Sequence, residues 1–295
     1  MTPIAKIITM KSFLSALLIF TVSISSNAQK LANSTLWKIE GNGLTEASYL
    51  FGTMHLTCDA NLDDRVLNAL ENTDQLVLEL DMDDPQMQAN MMGGMMMNDG
   101  ITASDLISEE DYKLLDEFLT KELGMGLSAG MNQMKPFFIQ ASLYPKLVDC
   151  SLESFEMELM NVTNSQGEET HGLETVEEQL KVFDNIPYRD QIEDLVKMAK
   201  NNMDYDKKTM AKMMDMYESE NIEGMLDMMN DDYYSSVSNH QDLLLSKRNK
   251  NWIEKIESYA KKTPTFFGVG AGHLAGKDGV ILLLRAKGYT VTPVL

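Results

Sequence analysis

Positive charge, histidine and cysteine are all scarce in this chain, and each shortage narrows what it can do. Lys and Arg number 25 against 45 Asp and Glu, a formal charge of −20. So acidic a surface repels phosphate backbones and anionic headgroups, which excludes nucleic acid and anionic membrane as partners. It leaves neutral or cationic substrates, or simple solubility. Beyond the N-terminal stretch no apolar run nears the roughly 20 residues of a spanning helix, so no stable membrane insertion is expected. There are four histidines and no H-E-x-x-H. Two cysteines, Cys58 and Cys150, permit at most one bridge. In an oxidising compartment an even count favours that bridge, which would tie the segment after His55 to the end of a distant helix. The alternative is two separate buried thiols, and Cys58 is close enough to His55 to be weighed as a metal ligand.

An oxidising compartment is what the N-terminus implies. Lys6 and Lys11 precede an apolar stretch from Phe13 to Ile24, and Ser26-Asn27-Ala28 is an A-x-A-like site. This is the pattern of a secretory leader cleaved after Ala28. No cysteine follows closely enough for a lipid anchor. Removal of Lys6 and Lys11 takes the formal charge two units lower, to −22. Residues 29–295 are then expected as one exported domain, periplasmic or extracellular, with its own core.

Along that domain, Leu36 to Glu40 and Ala47 to Gly52 alternate as strands about a Gly41-Asn42-Gly43 turn. The second strand delivers Gly52-Thr53-Met54-His55. A helix is expected over 62–71. The apolar run Gln75 to Asp81 reads as a buried parallel strand whose acidic end makes Glu79 a candidate to face His55, or a solvated strand exit. Residues 82–101 form an acidic, methionine-dense loop. Its sulfur could hold copper or supply an adaptable apolar cover over a cleft, and it contains no histidine.

From about 104 to 261 the pattern is mostly helical, an insertion whose methionine and leucine stripes pack helices together. Helices are expected over 108–124, over 136–148 with Pro145 kinking or ending it, and over 152–163. Within this region His171 to Thr175 is strand-like and presents Glu174 just ahead of a helix, as a functional carboxylate or a cap neighbour. Arg248 lies in a charged run placed ahead of a helix from Trp252 to Lys261. It is either solvated surface or an anion or oxyanion clamp. The chain closes with a βαβ unit: a strand over 265–269, Gly270-Ala271-Gly272-His273, a helix over 280–287 and a returning strand from Tyr289.

A G-x-x-H therefore follows a strand twice, near opposite ends of the domain. Histidines at the carboxyl ends of strands stand where open α/β sheets bind ligands. Two such corners can bring two imidazoles to one site.

Leu50 to Leu56, Gly172-Leu173-Glu174-Thr175, Arg248-Asn249 and Gly268 to Leu274 resemble, in order, the motifs of the TraB/GumN family. That group includes the TIKI metalloproteases and is distantly related to the erythromycin esterases and ChaN-like haem-binding proteins. The likeness runs from about Leu36 to Leu295 and points to an exported member of the GumN branch. It implies an α/β fold of two βαβ-type halves forming a central mixed sheet with a large helical insertion. His55, Glu79, Arg248 and His273 match the family's site positions, and Glu174 matches its glutamate.

Three functions follow as expectations. In the first, a metal-dependent hydrolase or peptidase, His55, Glu79 and His273 ligate a divalent ion, manganese or cobalt-like. Glu174 is general base or orients a ligand histidine, and Arg248 stabilises an oxyanion. In the second, an esterase-type hydrolase without metal, a carboxylate-held histidine activates water. In the third, a non-catalytic haem or peptide binder, either histidine is an axial ligand.

Overall fold

The computed structural model describes residues 30–295; the leader and its cleavage site after Ala28 lie outside the described residues. Strand β1 (Leu36–Gly41) turns through Gly41, Asn42 and Gly43, all at positive φ, into β2 (Ser48–Thr53). The two pair antiparallel with Trp37 opposite Leu50, the expected hairpin. β3 (Leu76–Leu80) and β5 (Phe266–Gly270) are buried at every residue, which is why they read as unbroken apolar runs rather than alternating ones. β4 spans Thr170–Glu174 and β6 Tyr289–Pro293.

The six strands form one mixed sheet in the order β4-β3-β5-β2-β1-β6. β4, β3, β5 and β2 are mutually parallel, so their carboxyl ends share one edge. β1 runs against them, and β6 pairs antiparallel with β1. The first crossover, β2 to β3 through the helix Asp64–Leu70, leaves a slot that β5 fills. The second, β5 to β6 through the helix Val280–Ala286, passes over β2 and β1. Both expected βαβ halves are present, interleaved rather than side by side.

Apolar side chains cover both sheet faces. Trp37, Trp252, Ile253, Ile256 and Ile281 form one cluster, and Phe51, Leu70, Phe155, Leu159 and Phe266 another. The helical insertion has its own core around Leu115, Leu119, Ile139, Ile192 and Leu195. Among the described residues no helix is long and apolar enough to cross a membrane.

Some boundaries differ from the sequence reading, while Pro145 ends its helix as expected. The methionine-dense segment is not all loop, because Met87–Gly93 is helical, with Met87 and Met91 packed against Leu80, Val176 and Leu180. The helix expected over 152–163 runs Phe155–Gln166, and that starting at Pro136 ends at Leu143, ahead of Pro145. The last long helix begins at Lys247 rather than Trp252, so Arg248 and Asn249 lie in its first turn.

Cys58 and Cys150 are disulfide-bonded across 92 positions, which removes Cys58 from any metal-ligand role. The bridge lies beside an antiparallel pairing of Thr57 with Glu153, and so holds the segment after His55 against the entry to the helix Phe155–Gln166. Closing so long a loop restricts the unfolded chain. Reduction, or paired Cys58→Ser and Cys150→Ser substitution, is expected to lower unfolding stability by about 2–4 kcal/mol in urea titrations. Two freely alkylated thiols in unreduced protein would contradict the bridge.

Candidate functional site

The five site residues read from the sequence, His55, Glu79, Glu174, Arg248 and His273, meet at the shared carboxyl edge. β2 ends at Thr53 and delivers His55; β3 carries Glu79; β4 ends on Glu174; β5 ends at Gly270 and turns through Ala271 to His273. The helix Lys247–Lys262 brings Arg248 across the top. The two G-x-x-H corners touch each other. A Cβ on Gly52 would stand 2.6 Å from Leu274 Cδ1 and 3.1 Å from Ala271 Cα, so only glycine lets the second corner lie this close. A Cβ on Gly270 would meet Glu79 Oε1 at 3.3 Å, His55 Nε2 at 3.4 Å and His273 Cδ2 at 3.6 Å. Three of the expected side chains therefore crowd around one backbone point.

Arg248 is the central cation. Nε lies 3.2 Å from both Glu174 oxygens, Nη2 donates to Glu174 Oε1 at 2.6 Å and to Glu79 Oε2, and Nη1 donates to Leu244 O at 3.1 Å and His273 Nε2 at 3.0 Å. All five guanidinium donors are engaged. The guanidinium also stacks 4.7 Å from the Trp252 ring. Far from being a solvated surface residue, it is 12% exposed. Its charge is balanced by two carboxylates that lie far away in sequence, which no local pattern displays.

Glu79 is buried, not a solvated strand exit. Burial pushes its carboxyl up, and the Arg248 charge, helped by the Gly270 N–H at 2.9 Å, overrides this and holds it well below the usual carboxylate range. Glu174 accepts from Arg248, from Trp252 Nε1 at 3.2 Å and from Gln179 Nε2 at 3.2 Å. It fixes the arginine and hydrogen-bonds to neither imidazole of the site. The N-cap of the following helix is Thr175.

The two histidines share a motif but differ in environment. His273 is 4% exposed. Asn249 donates its amide N–H groups to His273 O and Asp278 O, which leaves Oδ1 to accept from His273 Nδ1–H at 2.5 Å. The lone pair is thereby placed on Nε2, toward Arg248 and Glu79. Burial, opposed by Glu79 and reinforced by Arg248, depresses this imidazole to about 3, so it is neutral. His55 has an exposed side chain, and its Nδ1 lies 2.5 Å from Glu156 Oε1. Desolvation works to lower it, and the hydrogen bond and charge of Glu156 outweigh that and raise it to about 9. Glu156 is in turn depressed to about 2 against its own burial by His55, with Thr53 Oγ1 at 2.6 Å and Ser154 Oγ at 2.7 Å completing its shell.

Glu156 and Asn249 are the site residues that sequence reasoning missed. Asn249 stood in a quoted motif without a role. Glu156 had no signal except its place in the first turn of a helix.

Among the described residues no three His, Cys, Asp or Glu side chains are assembled as a metal site. The donor chemistry nonetheless fits a divalent ion. Both imidazoles are held through Nδ1 by an oxygen acceptor, the arrangement metal-ligating histidines use, and Glu79 Oε1 lies 3.5 Å from His273 Nε2 and beside the same Gly270 point that His55 Nε2 faces. Such an ion would compete with Arg248 for His273 Nε2 and Glu79.

An interleaved α/β sheet with paired G-x-x-H corners and a carboxylate-locked arginine at one edge defines the class of protein. Residues 35–293 match the TraB/PrgY/gumN family, and the chain belongs to that family. It is also 21% identical to the Metalloprotease TIKI2 of Danio rerio over 90% of this chain. The chain spans 61% of that relative's length. No solved structure matches.

Two outcomes test this geometry. Arg248→Met leaves Glu79 and Glu174 buried without their cation and is expected to cost about 3–5 kcal/mol in urea unfolding. Arg248→Lys should cost less, because it keeps the charge but not the planar fork.

The second concerns pH. His55 holds its proton more tightly folded than unfolded, so the pair's contribution is complete below 6.5 and lost as pH rises through about 9. Depressed Glu156 contributes above 4.5 and loses that as pH falls through about 2. The stability gap between parent and Glu156→Gln in metal-free protein should therefore be widest near pH 5–6. A gap that keeps its size above pH 10 would contradict the pairing.

Proposed function

We propose that this chain is an exported metal-dependent hydrolase acting on peptide bonds. The observation that carries the reading is the convergence of His55, Glu79 and His273 on Gly270, with each imidazole fixed through Nδ1, His55 Nε2 facing that point and His273 Nε2 taking the Arg248 N–H that an ion would displace. The similarity to a metalloprotease supports the choice of peptide substrates. The leader-like N-terminus and the Cys58–Cys150 bridge support export.

In this reading His55, His273 and Glu79 hold the ion. A divalent ion there supplies Lewis acidity toward a carbonyl oxygen and toward water. Glu156 and Asn249 set the ring planes of the two histidines. Glu174 positions Arg248 and is not itself the proton acceptor, because its oxygens are occupied by Arg248, Trp252 and Gln179. Arg248 keeps Glu79 ionised. Its Nη1, whose partners Leu244 O and His273 are uncharged, is the part that turns toward a developing oxyanion.

A second reading keeps the hydrolase without the metal. It rests on the 2.5 Å contact of Glu156 with an exposed His55, a pair in which the imidazole, once deprotonated, can take a proton from water.

Elemental analysis of tag-free protein separates the two, beside a His55→Ala/His273→Ala variant. The expected result is about one manganese, cobalt, zinc or iron per chain in the parent, none in the variant, and peptide hydrolysis abolished by chelation. No metal in either protein after reloading, or hydrolysis that survives chelation, would overturn the metal-dependent reading.

A further inference from the structure

Beside His55 the carboxyl edge opens into a cavity of about 370 Å³, within the size range of ligand pockets. Its apolar wall is Leu56, Leu78, Leu80, Met82, Met87 and Met157. Its polar wall is the site itself, His55, Glu79 and Glu156, joined by Gln179 and Ser154. The cavity is therefore continuous with the residues that would hold the reacting group. The helix Met87–Gly93, part of the methionine-dense segment, contributes Met87 to its wall.

The polar wall has little free charge to offer. Glu156 is paired with His55, and Glu79 with Arg248. A charged side chain of either sign entering the cavity would lose water and find the carboxylates and cations there already paired with one another, which is unfavourable. An apolar side chain loses nothing and gains burial against leucine and methionine. Methionine is unbranched and polarisable, so this wall accepts different apolar shapes. Met157 is 48% exposed, as a side chain waiting at a pocket mouth would be.

We infer that this cavity is a specificity subsite that takes a large uncharged side chain, such as leucine, methionine or phenylalanine, of a peptide presented to His55. The inference rests on the hydrolase reading for its orientation toward the reacting bond. It also gives a function to the methionine-dense segment, which supplies an adaptable wall rather than a copper site.

The test is designed to separate the subsite from catalysis. Full-length mature protein carrying ¹³C-methyl methionine is titrated, by NMR, with the blocked pentapeptide Ac-Gly-Gly-Leu-Gly-Gly-NH2 and with its Lys and Asp counterparts. The expected result is shifts at the methyls of Met82, Met87 and Met157 with the leucine peptide only. Met157→Glu, at a position exposed enough to keep the fold, should weaken that response at least about tenfold. Equal shifts for all three peptides, shifts confined to other methionines, or no shift would overturn the inference, whether or not the protein hydrolyses peptides. Selective leucine binding without any hydrolysis after manganese or cobalt loading would uphold the subsite and sink the hydrolase reading.

Discussion

A guanidinium buried between two carboxylates from different strands is the constraint on which the site depends. Glu79 and Glu174 stand on the neighbouring strands β3 and β4 at the sheet's carboxyl edge, and two carboxylates taken out of water there would repel. Arg248 cancels that repulsion and binds to both through a planar fork. It reaches them only because its helix lies across the strand ends, with Trp252 one turn on beneath its face and donating to Glu174. The same helix supplies Asn249, which selects the tautomer of His273. One helical turn therefore sets the charge balance and the ring orientation together.

The two G-x-x-H corners repeat in sequence but not in electrostatics. One imidazole is exposed beside a carboxylate and held toward its charged form; the other is buried beside an arginine and an amide and held neutral. The difference comes from surroundings outside the motif: the Glu156 carboxylate beside His55, and the burial of His273 reinforced by Arg248. At one edge the protein thus holds a basic ring open to solvent and an uncharged ring enclosed, on either side of an ionised Glu79.

The buried strands and the meeting of the two G-x-x-H corners were readable from the chain, because continuous apolar runs mark buried parallel strands and such strands end at a common edge; the strand order was not, and Glu174 and Arg248 joined the site only through the family resemblance. What could not be read was tertiary. The charged run around Arg248 has the composition of a solvated loop, and only its distant partners Glu79 and Glu174 allow it to be a helix start. Glu156 has nothing local to distinguish it from the other acidic residues of its helix. The methionine-dense segment folds partly as a helix because Leu80, Val176 and Leu180 offer it an apolar surface, and that surface is assembled from two other parts of the chain.

β5 fills the slot that the first crossover leaves between β2 and β3. A growing chain that has reached Thr265 holds four of the six strands, yet two of them face each other across an empty lane with unpaired backbone on either side. Neither His273 nor the Gly270 amide that anchors Glu79 exists until that lane is closed by the last thirty or so residues, so ordering is dominated by contacts distant in sequence and should be slow. The carboxyl terminus acts as a keystone: a truncated or half-emerged chain is not a weakened version of this protein but one in which no competent edge has yet been made.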